Sequence, residues 1–199
     1  MSEVAGRRTI LESIKKIKPN LHKDDKIVKD IVKKVKELEL QGYQFEGAEG
    51  SFELMVHKVL GTYRPFFTLH YYRAVGELPK LDDGLSSFVQ LKIDVNGVVS
   101  VTAGEGDGPI HALDTALRKA LKKFYPIVND VRLIDYKVRV LDSQDATASK
   151  VRVLIESCDS EESWKTIGVS SDVIEASWIA LVDSIEYKLN KSAQKSIIK

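Results

Sequence analysis

Gly104-Glu105-Gly106-Asp107-Gly108-Pro109-Ile110-His111-Ala112-Leu113 is the stretch around which this chain is organised. Three glycines within five residues run straight into a proline. Beyond it, Ile110, Leu113, Ala116, Leu117, Ala120, Leu121 and Phe124 are apolar at spacings of three and four, the pattern of an amphipathic helix. Pro109 suits the first helical position, where its missing N–H costs nothing. A glycine turn feeding a helix start exposes unpaired N–H groups at the positive end of the helix dipole, an arrangement that can receive a small anion such as a carboxylate. The plainer reading is a strand-to-helix turn with glycine where φ must be positive. The spacing fits neither G-x-G-x-x-G nor the phosphate-binding loop, which speaks against a nucleotide.

A diverged copy follows. Gly168-Val169-Ser170-Ser171-Asp172-Val173-Ile174-Glu175-Ala176 leads into Trp178, Leu181, Val182, Ile185 and Leu189 at helical spacing. Ile110 aligns with Ile174, Ala116 with Ala180 and Gly104 with Gly168, each 64 residues apart. An internal repeat on this scale organises the whole second half of the chain.

The rest falls into place outward from the repeat. Before the first glycine stretch, Pro65 to Val75 is rich in aromatic and β-forming residues, and Phe88 to Val95 alternates strictly. Asn96-Gly97 is a strong hairpin signal, with Val98 to Ala103 as the return strand. Residues 76–85 read as a polar loop. After the first helix, Val131 to Leu141 alternates, 142–149 is a polar loop, and Val151 to Ile155 and Trp164 to Val169 are strands. A helix over 172–189 closes the second unit. The fold class is therefore α+β, with two repeated β-β-β-α units. Side by side the units could form one six-stranded layer, and the edges of a three-stranded unit favour pairing of units and of chains. Upstream are three helical segments, at 7–18, from Asp24-Asp25 to Gly42, and from Gly47 to Leu60. They hold few apolar residues for an independent fold and read as a connector docked on something larger. The predicted divisions are a helical linker over 1–63, a domain over 64–191 (units 64–126 and 127–191), and a polar, frayed tail over 192–199.

Composition narrows the function. Lys+Arg 30 against Asp+Glu 29 gives a balanced surface, which argues against nucleic acid or membrane as the main partner. A single cysteine, Cys158, excludes an internal disulfide and fits a reducing compartment. No apolar run approaches the ~20 residues of a membrane helix. The N-terminus has no signal-peptide core, so the cytoplasm is expected. His22, His57, His70 and His111 are scattered without metal-ligand spacing, and Asp24-Asp25, Asp82-Asp83 and Glu161-Glu162 read as loop or cap residues. Only His111, at the helix start, is placed to face a ligand. Phe66, Phe67, Tyr71 and Tyr72 have no interleaved basic residues except Arg64 and Arg73, too few for a base-stacking surface, and read as sheet core or interface. The lysines of the second helix read as a solvated face.

Several of these motifs carry a family resemblance. Leu38-Glu39-Leu40-Gln41-Gly42-Tyr43-Gln44-Phe45-Glu46-Gly47-Ala48-Glu49-Gly50-Ser51-Phe52-Glu53-Leu54 resembles the segment after the catalytic barrel in citramalate synthases, of the 2-isopropylmalate synthase/homocitrate synthase superfamily. Glu105 to Leu113, Ile134-Asp135-Tyr136-Lys137-Val138, Gly168-Val169-Ser170 and Ile174-Glu175-Ala176-Ser177-Trp178 resemble the C-terminal allosteric domain of the same enzymes, and Ala5-Gly6-Arg7-Arg8 their junction after the barrel. The stretch departs from the family in having no barrel, where the divalent metal, acetyl-CoA and the acyl-transfer site belong.

The resemblance implies a regulatory domain, with no catalysis and no cofactor of its own. It implies a homodimer that binds an end-product amino acid at its interface and reports to a catalytic barrel. For citramalate synthase the effector is isoleucine, and the parent condenses pyruvate with acetyl-CoA; for 2-isopropylmalate synthase it is leucine. Mapped onto this sequence, the pocket takes Asp107, Gly108, Pro109, Ile110 and His111 from the glycine stretch and helix start. Leu133, Tyr136 and Val140 come from the next strand, Ala146 and Ala148 from the loop after it, and Val173 and Ile174 from the second helix start. The alternatives are the leucine-binding domain of a 2-isopropylmalate synthase, a purely structural dimerisation module, and a free-standing enzyme.

Overall fold

The alternation of Val89, Leu91, Ile93 and Val95 builds the central strand of the first unit. The computed structural model describes residues 3–22, 25–76, 87–141 and 149–197. In it β2 (Ser87–Val95) buries all four side chains on one face, between antiparallel neighbours β1 (Thr68–Gly76) and β3 (Val98–Gly106). The β2–β3 hairpin turns at Asn96 (φ 53°) and Gly97 (φ 81°), the left-handed pair that a two-residue hairpin needs. Helix α4 (Pro109–Leu121) closes the unit, burying Ala112, Leu113, Ala116, Leu117, Ala120 and Leu121 against β2 and β3.

The second unit repeats this with β4 (Arg132–Val140), β5 (Val151–Cys158), β6 (Ser163–Ser170) and α5 (Val173–Ile197). The 64-residue offset carries Thr68 onto Arg132, Ser87 onto Val151 and Pro109 onto Val173. It also carries an irregularity in register: the β1 ladder shifts between Leu69 and Tyr71, and the β4 ladder between Leu133 and Asp135. A short 3-10 turn, Pro126–Asp130, joins the units. Arg118 holds it, with Nη1 donating to the carbonyls of Val128 (3.1 Å) and Val131 (2.5 Å).

The expected six-stranded layer does not form. Among the described residues there are two separate three-stranded sheets, ordered β1-β2-β3 and β4-β5-β6. Their apolar faces and the helices α4 and α5 contribute to one common core instead, in which Tyr72 of β1 meets Trp178 of α5 with ring centroids 5.8 Å apart. Joining the sheets at an edge would leave those faces to be covered separately, so burial in a shared core wins. The outer edge of β6 is occupied by the linker: Lys165 N–H donates to Glu49 Oε1 (3.1 Å) and Ile167 N–H to Ser51 Oγ (2.9 Å).

The upstream segments form α1 (Glu3–Ile17), α2 (Lys26–Leu40) and α3 (Glu49–Val59). Ile14, Val28, Ile31, Val35, Phe52, Met55 and Val56 make a separate small core, and α3 packs on β6 and α5. Both α2 and α3 end in a Schellman motif closed by a left-handed glycine. At α2, Gly42 N–H donates to Glu39 and Tyr43 N–H to Leu38; at α3, Gly61 N–H donates to Lys58 and Thr62 N–H to His57.

Several boundaries differ from the sequence reading: α1 starts at Glu3, α4 stops at Leu121 rather than Phe124, and β5 runs on to Cys158. Strand β3 runs to Gly106, so the glycine stretch is mostly strand, with only a bend at Asp107-Gly108. Helix α5 continues to Ile197 rather than ending at 189, because no Gly or Pro interrupts it and Lys191 anchors it to Glu53 of α3 (3.0 Å). Most of the loops expected at 76–85 and 142–149, with Asp82-Asp83, Ala146 and Ala148, lie outside the described residues, as do Asp24 and the last two residues of the tail.

Candidate functional site

The start of α4 is positioned by what its glycines lack. A Cβ on Gly104 would stand 2.3 Å from the carbonyl oxygen of Ala112 and 2.6 Å from the nitrogen of Ala116; one on Gly106 would stand 2.6 Å from the nitrogen of Ala112. Neither glycine has a positive φ, and Gly108 is extended at φ −157°. Close approach of helix to strand, rather than a left-handed turn, demands them. The second unit repeats the device: a Cβ on Gly168 would stand 1.9 Å from the carbonyl oxygen of Ala176. A hydroxyl bond completes each seam, Thr102 to the carbonyl of Ala116 and Thr166 to that of Ala180, both 2.8 Å.

The two helix starts differ in their chemistry. At α5, Asp172 Oδ1 accepts from the N–H of Ile174 (2.7 Å) and Glu175 (3.4 Å), so the side chain of the protein itself fills the anion position. At α4 the N-cap is Gly108, which has no side chain to cap with, followed by Pro109. Beside it the exposed ring of His111 lies 3.3 Å from Asp107 Oδ2, and its Nδ1 accepts from Asp107 N–H at 3.4 Å.

The remaining sequence-predicted residues spread along β4 and the start of α5. Tyr136 is half-buried on the inner face, and its hydroxyl meets Ser177 Oγ at 2.8 Å; Ser177 in turn donates to the Val173 carbonyl at 2.6 Å. Val140 ends β4 opposite Val151, which pairs with Ser170 just before α5, so Val140 lies at the end of the unit where Val173 and Ile174 begin the helix. Leu133 is half-buried near the other end of the strand, roughly 23 Å of extended chain from Val140 at ~3.3 Å per residue. The structure thus groups Tyr136, Val140, Val173 and Ile174 in unit two and places Asp107, Gly108, Pro109, Ile110 and His111 in unit one. Ile110 and Ile174 both pack on the common core. Large apolar side chains stand open on β4, with Ile134 55%, Val138 46% and Val140 54% exposed.

Sequence reasoning missed Ser177, although it lies inside a quoted motif, and two carboxyls on α5. Burial pushes Glu186 up to about 7, against the pull of N–H donors from Phe66 and Phe67. Burial likewise raises Asp183, which accepts from Ser51 Oγ at 2.6 Å. A helix read as one-sided gave no sign of either, because α3 and the Phe66-Phe67 segment cover its other side only in the fold. Among the described residues no group of three His, Cys, Asp or Glu side chains could hold a metal ion, and no helix is long and apolar enough to cross a membrane.

Residues 46–189 match the LeuA allosteric (dimerisation) domain, a span that includes both units and their helix starts. The chain belongs to the LeuA allosteric domain family. It is 46% identical over 194 residues to an (R)-citramalate synthase of Geobacter sulfurreducens, covering 98% of this chain and 37% of that protein. It is 43% identical to the (R)-citramalate synthase of Aquifex aeolicus, covering 100% of this chain and 38% of that one. A 2-isopropylmalate synthase of Clostridium kluyveri is more distant at 27% identity, covering 98% of this chain and 35% of the relative. The chain therefore spans little more than a third of the length of the relatives it matches. The α+β architecture with two β-β-β-α units is the one the resemblance implies for this allosteric domain.

Proposed function

We propose that this chain is the regulatory part of a citramalate synthase, and that two copies bind isoleucine between them as a feedback signal. The observation that carries the reading is the start of α4, a helix N-terminus whose N-cap, Gly108, offers no side chain to its own N–H groups. Those donors and the helix dipole are suited to the carboxylate of an amino acid, and Asp107 beside them to its ammonium. Tyr136 and Val140 of the strand, Ala146 and Ala148 of the following loop, and Val173 and Ile174 would enclose the alkyl group, with Leu133, at the far end of the strand from Val140, contributed by a second copy. The open apolar side chains of β4 favour such a partner. Burying four carbons of the effector contributes roughly 3 kcal/mol at ~0.8 kcal/mol per CH₂. The linker over 1–63 would carry the signal to a catalytic barrel that condenses pyruvate with acetyl-CoA; that barrel, and not this chain, would hold the divalent metal.

Isoleucine is preferred to leucine because the relatives at 43% and 46% identity are citramalate synthases. The test is the melting temperature with millimolar isoleucine, leucine and valine, alongside titration calorimetry. An effector at 100 times its dissociation constant adds about 2.7 kcal/mol to the folded state. The largest shift is expected with isoleucine. A largest shift with leucine would move the assignment to 2-isopropylmalate synthase, and no response to any of the three would leave a dimerisation module.

A further inference from the structure

A cavity of about 340 Å³ lies between the linker helices and α5, at the small end of the ~300–1,000 Å³ of ligand sites. Leu38 of α2, Phe45, Met55 of α3 and Ile179 of α5 give it an apolar wall. Its polar lining carries both signs of charge. The Asp183 carboxylate, 14% exposed, accepts from Ser51 Oγ at 2.6 Å and lies 3.6 Å from Lys58 Nζ. Lys34 of α2 adds a second ammonium, 46% exposed and 3.6 Å from Glu37 Oε2 of the same helix.

We propose that this cavity binds a small zwitterion with an apolar side chain, its ammonium on Asp183 and its carboxylate on Lys58 and Lys34. The lining favours such a zwitterion over simpler ligands. A free acid would meet the Asp183 carboxylate, an amine would add positive charge beside two lysines, and a hydrocarbon would strip water from the charged lining without replacing its hydrogen bonds. A zwitterion brings an opposite charge for each, and its body meets the wall of Leu38, Phe45, Met55 and Ile179. The site shares no residue with the start of α4 and stands independently of the effector reading. Because α2 and α3 form one side and α5 the other, an occupant ties the linker to unit two.

The chain has two methionines, Met1 and Met55, so methyl-labelled methionine gives two NMR signals, one of them in the cavity wall. The full chain is titrated with L-isoleucine and L-leucine, and with isoamylamine and 4-methylvalerate as single-charge controls. The Met55 signal is expected to shift saturably at millimolar amino acid, with each control about tenfold weaker or worse. The shift persists in His111→Ala and is lost in Asp183→Asn. Lys34→Ala changes an exposed residue and so leaves the fold intact; it weakens the amino acids but not isoamylamine. A Met55 signal unmoved by both amino acids, controls that bind as well as they do, a shift abolished by His111→Ala, or unchanged affinity in Lys34→Ala would each overturn the proposal. Loss of the thermal response in His111→Ala with the Met55 shift retained separates this site from the one at α4.

Discussion

Gly168 lies so close beneath Ala176 that a Cβ would stand 1.9 Å from its carbonyl oxygen, and Gly104 stands to Ala112 in the same relation at 2.3 Å. In each case the obstacle is helix backbone, which cannot rotate aside. Gly168→Ala and Gly104→Ala are expected to lift α5 or α4 off its sheet, at a cost of at least ~1–3 kcal/mol each. Urea denaturation measures it. Unchanged midpoints would mean that the helices can slide without loss.

Replacing Gly108 by serine tests the helix start from the opposite side. The backbone there is already extended, and a Cβ would meet nothing within 4 Å. A serine hydroxyl can accept from the first-turn N–H groups and is expected to add a few tenths of a kcal/mol of stability. By occupying the donors assigned to the effector carboxylate, it should also weaken isoleucine binding. A stabilised variant that binds isoleucine as tightly as the parent would disprove the assignment.

Glu186 predicts a pH dependence. Burial raises its carboxyl from 4.5 to about 7, so the folded chain holds a proton that the unfolded chain releases at lower pH. The contribution is therefore fully present below about 4.5, lost as pH rises to about 7, and absent above that, with a size on the order of 3 kcal/mol at most. Asp183 is raised too and acts in the same direction. Asp159 acts oppositely but lower: burial raises it, the Lys188 bond and the N–H groups of Glu162 and Glu161 outweigh that, and it settles at about 2. Glu186→Gln keeps an acceptor for the Phe66 N–H and should flatten the denaturation midpoint between pH 4.5 and 7. It should also leave the chain more stable than its parent at pH 8.

Arg118 also donates through Nε to both oxygens of Asp114, at 2.9 and 2.8 Å, while Nη1 reaches Val128 and Val131. The planar fork suits this geometry and a lysine ammonium does not. Arg118→Lys is expected to cost about 1–3 kcal/mol and to speed amide exchange at Val131, whose N–H bonds to Val128 in the same turn. Unaltered exchange there would show that the turn holds itself.

Much of this protein was legible in the chain. Period-2 alternation over Phe88 to Val95, period-3.6 spacing from Ile110 to Leu121, Asn96-Gly97 and the 64-residue repeat each depend on local geometry, and each appears where expected. The tertiary structure decided how the pieces meet. Gly104 and Gly168 looked like turn residues because a sequence records a missing side chain without recording what comes close to it. The two sheets share a core rather than an edge because burial of their apolar faces depends on where both helices lie. Glu186 and Asp183 looked like ordinary polar positions on a helix, since a carboxyl is shifted by its surroundings and the segments that bury these two are more than a hundred residues away in the chain. The sequence by itself determined the elements, their repetition and the family; only the fold determined which groups are desolvated, because desolvation is a property of neighbours in space.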